Sequence, residues 1–327
     1  MELAEKKKLA THVGWLYLGG VAIMLLFIVV DTLLVNRGIE LPTVVALLLN
    51  ELFVIIPSVV YICVHKPSFK DDLGFRKLKV GSIFLSVLLG FMVLPICSFV
   101  NVLTQFFVAN TMTQASGSLL ADTSFLITFL LVGVYAPVCE ELMFRALINR
   151  EYNRMTSVLM AAVSSGILFG LIHMNINQAC YAFVLGFIFA LANHASGSVI
   201  TSMIMHVVVN SFNMLLMFAA NAVMELQGAN LAEEAENTRT SGMLFSVAAV
   251  YFVLALVFGI VSFFCMRAMA EHEGRGEIFR GIFKKKNTST DQESADNKSS
   301  IKDLISSPLV VAVVLCLVYT IYWQIRQ

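Results

Sequence analysis

The chain has 327 residues, of which 58% are hydrophobic and only 13% are charged, and its formal net charge is zero. Soluble domains average about 45–50% apolar and about 25% charged residues, so the composition excludes an ordinary soluble domain and predicts a polytopic membrane protein. The six cysteines are scattered singly and form no CxxC pair, which argues against a disulfide framework and against a cysteine-rich zinc site.

Apolar segments follow one another along the chain, and a membrane-spanning helix needs about 20 such residues. We predict nine spans, at 13–35, 43–64, 80–109, 124–149, 157–173, 178–193, 198–220, 243–266 and 308–325. The first is too long for a signal peptide and lacks a cleavage site, so we expect it to be retained. Pro95 is a natural kink in the long third span. The predicted fold class is all-α, a polytopic transmembrane helix bundle with about eight core spans plus one C-terminal span.

Lysine and arginine in short loops mark the cytoplasmic side of a membrane. Basic residues precede span one, separate spans two and three, and follow spans four and eight, whereas the loop 221–242 is acidic. We therefore expect a multi-pass protein of the cell membrane with a cytoplasmic N-terminus and an external C-terminus.

Composition and motif content divide the chain into five regions. They are N-terminal transmembrane helices (1–119), the helices that carry three polar motifs (120–220), an external acidic loop with the eighth span (221–266), a basic and polar cytoplasmic linker (267–307) and a C-terminal transmembrane helix (308–327). The polar composition of the linker is typical of a flexible segment.

The three motifs lie inside apolar spans four, five and seven. They are Glu140-Glu141-Leu-Met-Phe-Arg145, Phe169-Gly-Leu-Ile-His173 and His206-Val-Val-Val-Asn210. An ionisable group inside a membrane costs about 2.5–3.5 kcal/mol on insertion scales, so it rarely persists without a partner or a task. A single polar residue can simply hydrogen-bond two helices together. The whole set, however, contains the carboxylates, imidazoles and amide that a hydrolytic site needs.

Helical spacing assigns roles within the first motif. Residues four apart share a face of an α-helix, so Glu141 and Arg145 are predicted to form an orienting ion pair. Glu140 lies one residue off that face and has no local partner. A carboxyl group buried without a counter-charge exchanges protons near neutral pH, as a general base acting on water must. We therefore predict that Glu140 is the base.

The other two motifs supply imidazoles and an amide. His173 follows Phe169 by one turn on the same face, and it can hold a water against Glu140 or bind a metal. His206 and Asn210 are also four apart, and both can donate to a developing oxyanion. Two histidines and a glutamate also match a catalytic zinc set, which makes Glu140, His173 and His206 candidate ligands of zinc or another divalent cation. A metal-independent mechanism is the alternative.

Depth in the membrane is a further test of the grouping. At about 1.5 Å per residue, Glu140, His206 and Asn210 lie roughly 15, 12 and 18 Å from the cytoplasmic ends of their spans. His173 lies roughly 24 Å from its end, which is too deep unless span five is tilted or begins lower.

Three other residues with reactive side chains lie in or beside the predicted spans but outside the motifs. Asp31 and Glu51 have no motif around them, and we interpret both as structural. Cys139 is discounted as a nucleophile, because an apolar environment disfavours the thiolate and no cation stands beside it in sequence.

At its three motifs the chain resembles the CPBP family, also called the Abi or CAAX-protease-like family of intramembrane proteases. The family pattern is EExxxR, FxxxH and HxxxN/B on separate helices, and the resemblance covers roughly 120–220, with weaker similarity at Asp72-Leu-Gly-Phe-Arg-Lys77. It implies an all-helical core and peptide-bond hydrolysis within the bilayer. The Glu140 and His173 equivalents would activate water, and the His206 and Asn210 equivalents would stabilise the oxyanion. Eukaryotic members cleave prenylated CAAX proteins, and many bacterial members are associated with bacteriocin immunity or processing.

The leading hypothesis is an intramembrane endopeptidase, of the glutamate or the metalloprotease type, acting near the cytoplasmic half of the bilayer. Its partners would be the lipid bilayer and a peptide or protein substrate with a membrane-associated segment, and no nucleic acid is expected. The alternative is a non-catalytic membrane immunity or scaffold protein of the same family. A proton- or cation-coupled transporter ranks third, because intramembrane Glu and His also serve as relays but no repeated halves are present.

Overall fold

The computed structural model describes residues 1–108, 123–227, 241–283 and 301–326, and these ranges form helices joined by turns. The helices are α1 (Leu3–Val35), α2 (Thr43–Asn50), α3 (Leu52–His65), α4 (Val80–Thr104), α5 (Phe125–Met155), α6 (Val158–Leu171), α7 (Ile176–Ser196), α8 (Ile200–Leu226), α9 (Ser241–His272), α10 (Gly276–Gly281) and α11 (Ser307–Arg326). A single 3-10 turn, Ile301–Leu304, precedes α11.

All nine predicted spans coincide with helical segments, and the all-helical transmembrane bundle is confirmed. Within the described ranges, eight helical segments are long and apolar enough to cross a membrane, with α2 and α3 counted as one. The fifth predicted span is the exception. Helix α6 has only 14 residues, so it is about 21 Å long and cannot cross a hydrocarbon core of about 30 Å. The expected nine full spans are therefore corrected to eight among the described residues.

The second predicted span is interrupted where no interruption was predicted, whereas the third is continuous. The second span is interrupted at Glu51, which separates α2 from α3. Pro95, predicted to kink the third span, lies inside α4, which runs unbroken from Val80 to Thr104. The interruption thus falls at an ionisable residue rather than at that proline.

One end of the bundle gathers the loops that are rich in arginine, and we call it the basic end. Ser198 Oγ donates to the Arg76 carbonyl at 2.6 Å, and the Val199 amide donates to the Gly74 carbonyl at 3.0 Å. Arg150 Nη1 donates to the Asp71 carbonyl at 3.0 Å. These bonds tie the loop before α4 to the α5–α6 and α7–α8 connections, so the basic loops predicted to share one side of the membrane are in contact.

The outer surface of the bundle is apolar over much of its length. On α9, for example, the exposed side chains include Val253, Leu256, Val257, Ile260 and Phe264. Their spacing of three and four residues forms one stripe along the helix. Such a continuous apolar face would be a liability in water and is typical of contact with lipid.

Helix α11 packs on α1 and also contacts α6. The Tyr17 hydroxyl donates to the Leu168 carbonyl at 3.0 Å and lies 3.7 Å from Cys316 Sγ. At the start of α11, Ser306 Oγ donates to the Ala10 carbonyl at 2.9 Å. The predicted linker 267–307 is helical at both described ends, whereas its centre, 284–300, lies outside the described residues.

Candidate active site

The first motif lies on a helix whose hydrogen-bond pattern changes several times. Helix α5 is α-helical at Ala136–Glu141, between two π-helical segments, Phe129–Tyr135 and Leu142–Asn149. π-helical turns are rare and occur frequently at functional sites. Arg145 lies in the second π segment, where residues four and five apart lie near one face. Its guanidinium therefore interacts electrostatically with both Glu141 and Glu140.

Pro137 accounts for the first irregularity and links it to α8. A proline has no N–H, so the carbonyls four and five residues earlier, on Gly133 and Val132, receive no hydrogen bond from it. Asn210 Nδ2 donates to the Val132 carbonyl at 3.2 Å, and Ser211 Oγ donates to the Gly133 carbonyl at 3.2 Å. The third motif is thus anchored to the π segment that precedes the first motif.

Glu141 lies at the centre of a fully buried charge pair. Arg145 Nε is 3.3 Å from Glu141 Oε2, and neither side chain is exposed. His206 Nδ1 is 3.1 Å from Glu141 Oε1. A carboxylate only accepts hydrogen bonds, so Nδ1 carries the proton and donates it to Glu141. Glu141 therefore orients both the arginine and the imidazole.

Glu140 faces the other nitrogen of the same imidazole. His206 Nε2 lies 3.6 Å from Glu140 Oε2, and the Glu140 side chain is 14% exposed. This distance exceeds that of a normal hydrogen bond, so the two atoms are adjacent but not directly bonded. The result is a chain of four groups, Arg145–Glu141–His206–Glu140, which the spacing of each separate motif could not reveal.

Phe169 is the common contact of the two histidines. Its ring centroid lies 5.0 Å from that of His173 and 5.8 Å from that of His206, in edge-to-face geometry in both cases. The Arg145 guanidinium lies 4.2 Å from the Phe169 ring centroid, within the range of a cation–π interaction. The ring thus packs against three of the polar groups predicted to form the site.

His173 is held by the end of its own helix. His173 Nδ1 lies 2.7 Å from the Phe169 carbonyl, to which it donates, which leaves Nε2 as a lone-pair acceptor. This bond holds the imidazole ring over the preceding turn of its own helix, against Phe169. Helix α5 also continues to Met155, so Glu140 lies 15 residues, roughly 22 Å, from that helix end. By the same rise per residue His206 lies roughly 12 Å from the end of its predicted span although its Nε2 is 3.6 Å from Glu140, so the helix ends are not level and these depths do not test the position of His173.

One acidic residue near the site was not assigned to it from sequence. Glu51, interpreted as structural, is buried at the break between α2 and α3 and interacts electrostatically with Glu140 and Cys139. Its Oε2 atom has no hydrogen-bond partner among the described residues. The only signal in the sequence was a glutamate in an otherwise apolar span, and its proximity to Glu140 depends on the tertiary packing.

A metal ion would need several free ligand atoms to converge on one point. Among the described residues, no group of three or more His, Cys, Asp or Glu side chains is arranged to hold a metal ion. Both nitrogens of His206 face carboxylates, and one nitrogen of His173 is taken by a backbone carbonyl. The residues predicted as ligands therefore do not converge as a catalytic zinc set among the described residues.

The fold and the site together define an integral-membrane helical protein with buried carboxylates and imidazoles on neighbouring helices. Residues 122–212 match the family model described as Type II CAAX prenyl endopeptidase Rce1-like. The match supports, over these residues, the resemblance to the CAAX-protease-like (CPBP) family predicted from the three motifs, and that family is a protease family. No curated protein and no solved structure matches the chain.

Proposed function

We propose that this chain is an intramembrane endopeptidase in which Glu140 activates water for attack on a peptide bond. The proposal is supported by the family match over 122–212 and, above all, by the chain of contacts from Arg145 through Glu141 and His206 to Glu140. This chain has the general form of a hydrolytic site, in which one acidic group orients an imidazole that faces the reacting group.

Charge balance assigns the proton states. Burying an unpaired charge is costly, so the four groups carry no net charge. The Glu141 and Arg145 pair is neutral, and Glu140 and His206 therefore share one proton between them. When Glu140 is ionised and able to accept a proton, His206 is an imidazolium. Its Nε2–H then serves as the donor to an oxyanion, so one protonation state prepares both roles.

The reaction follows from these states. Water attacks the scissile carbonyl carbon, and Glu140 takes one of its protons. The negative charge that develops on the carbonyl oxygen is stabilised by His206 Nε2–H and by the second N–H of the Asn210 amide. The carbon–nitrogen bond then breaks, and Glu140 returns the proton to the leaving amine. The products are a carboxylate and an amine.

His173 is proposed to orient the attacking water. Because its Nδ1–H is donated to the Phe169 carbonyl, Nε2 can accept a hydrogen bond from water. The water would then be held between an imidazole acceptor and the Glu140 carboxylate. A metal-independent reaction is proposed, so activity is expected to persist after dialysis against a chelator. Loss of activity that added zinc restores would contradict this part of the proposal.

The substrate is proposed to be a peptide or protein with a membrane-associated segment that enters from the basic end. Lysine and arginine concentrate at the cytoplasmic side of membrane proteins, and Arg76, Arg150 and Arg275 lie together at this end. Because α6 begins and α7 ends at the basic end, that helix pair leaves the other crossings odd in number, and this orientation gives a cytoplasmic N-terminus and an external C-terminus.

The test compares wild type with Glu140→Gln in the native host, at matched abundance, by mapping new protein termini in the membrane fraction. Glu277→Gln is the control, because it makes the same chemical change on a side chain that is 78% exposed. We expect termini that are present with wild type and Glu277→Gln and absent with Glu140→Gln. Identical termini in all three strains would refute hydrolysis and favour the non-catalytic scaffold.

A further inference from the structure

A cavity of about 370 Å³ opens at the basic end, apart from the proposed catalytic groups Glu140, His173 and His206. Its wall is formed largely by charged side chains, those of Arg76, Arg150, Arg154 and Arg275 together with Asp71 and Asp72. Arg145 and Asn149 also line it. Five arginines therefore line the same space as two aspartates, and Glu141 and Glu151 pair with Arg145 and Arg154, which leaves an excess of one positive charge.

The aspartates do not neutralise this excess. Asp71 pairs with Arg76 at 3.1 Å. Arg150 donates instead to two backbone carbonyls, those of Asp71 at 3.0 Å and Asp72 at 3.5 Å. Burial and the nearby Arg76 lower the pKa of Arg275 below its usual value. Gathering like charges in this way costs free energy that a bound anion would recover.

Glycines at two positions make room for the arginines. Gly74 and Gly197 both have positive φ angles, of 77° and 79°. A Cβ on Gly74 would lie 1.8 Å from Arg150 Nη2, and one on Gly197 would lie 3.0 Å from Arg275 Cδ. Arg275 Nε also donates to the His194 carbonyl at 3.1 Å. The guanidinium groups are therefore held in place by the backbone around them and are not loose surface side chains.

Arg145 lies between this cavity and the proposed catalytic groups, because it borders the cavity and pairs with Glu141. Its side chain is fully buried, it borders the cavity, and its guanidinium nitrogens have no hydrogen-bond partner among the described residues. The contact with Glu141 at 3.3 Å satisfies its charge but not its five N–H donors. These nitrogens have almost no accessible surface, so an anion in the cavity would be held by the more exposed arginines, such as Arg76 and Arg154.

We propose that this cavity binds a phosphate group, carried either by a lipid headgroup or by a small soluble phosphate ester. Planar guanidinium forks match the oxygens of phosphate, and several forks from different directions suit its three or four acceptor oxygens better than the two of a carboxylate. The volume lies within the range of small-ligand sites, about 300–1,000 Å³. The position at a helix-bundle end, where headgroups lie, allows either source.

The experiment measures binding to the purified full-length protein in a neutral detergent. Two probes carry the same phosphate monoester, short-chain phosphatidic acid with acyl chains and glycerol phosphate without them. Binding of the lipid alone identifies a headgroup site, and binding of both identifies a site open to soluble esters. Binding of neither probe would overturn the proposal.

Variants locate the site. We expect Arg275→Gln and Arg76→Gln each to weaken binding by about tenfold or more, as expected for the loss of a charge-assisted hydrogen bond. Arg267→Gln is the matched control, because Arg267 resembles Arg76 in exposure and pairing but lies outside the cavity lining. Arg267 is 46% exposed and pairs with Glu271 at 3.3 Å. Arg76 is 44% exposed and pairs with Asp71 at 3.1 Å. Unfolding midpoints without ligand verify that each variant is folded. Affinities equal to wild type in both cavity variants would overturn the assignment.

Discussion

Glu141→Gln is expected to destabilise the protein far more than Glu140→Gln, although the two glutamates are adjacent. The Glu141 side chain is fully buried and contacts Arg145 at 3.3 Å and His206 at 3.1 Å. Glutamine preserves its size but removes its charge, which leaves the Arg145 guanidinium buried without a full counter-charge. Breaking one side of a buried ion pair costs about 3–5 kcal/mol.

Glu140→Gln leaves no buried charge without a counter-charge. Glu140 is partly exposed, and its neighbour His206 can lose its proton when the carboxylate is removed. We therefore expect a change of about 1 kcal/mol or less in the free energy of unfolding, which is typical of single substitutions. Hydrolysis should nevertheless be lost, because the proposed base is gone. The two substitutions thus separate the orienting role from the catalytic one.

The assay is equilibrium unfolding of the purified protein in mixed micelles, followed by circular dichroism as the fraction of denaturing detergent rises. Glu277→Gln serves as the exposed control and is expected to change stability by about 0.5 kcal/mol or less. A double variant, Glu141→Leu with Arg145→Met, removes both charges and should recover much of the loss, because apolar replacement of a buried pair is often neutral. Equal destabilisation by Glu140→Gln and Glu141→Gln, or no recovery in the double variant, would refute the reasoning.

Three further substitutions, with Gly259→Ala as a control for the first, test the packing and chemistry around the site. Gly186→Ala places a Cβ 2.7 Å from Arg145 Nη2 and should cost about 1–3 kcal/mol in the same unfolding assay. Gly259→Ala, with nothing within 4 Å, should instead be neutral or stabilise its helix by up to about 1 kcal/mol, and equal effects would contradict the packing argument. Glu51→Gln removes a buried carboxylate beside Glu140 and should raise the free energy of unfolding by about 1 kcal/mol, whereas destabilisation would mean that its charge is satisfied. Cys139→Ala should retain hydrolysis, and inactivation of wild type by iodoacetamide that the variant resists would show a role for the thiol.

The sequence was sufficient to predict a membrane protein, its helical segments and its resemblance to a protease family, because hydrophobicity and short-range spacing carry that information. Apolar segments of about 20 residues can satisfy their backbone groups in lipid only as helices. The Glu141–Arg145 pair was predictable for the same reason, since its partners lie four residues apart on one helix.

Tertiary structure decided which nitrogen of which histidine faces each carboxylate. The His206 contacts with Glu141 and Glu140 join residues 65 and 66 positions apart, and no local spacing specifies them. The same holds for Glu51, which lies near Glu140 only because α3 packs against α5.

The shape of the helices was also decided by their packing. Hydrophobicity predicted a full fifth span, but α6 has only 14 residues and is too short to cross the membrane. The chain then returns to the basic end along α7. The π segments of α5 could not be inferred from an apolar pattern, although Pro137 is the local cause of the first, Phe129–Tyr135. Carbonyls of that segment are satisfied by Asn210 and Ser211 from a distant helix. Spacing thus determined which side chains share a face, and contacts between helices determined which of those faces meet.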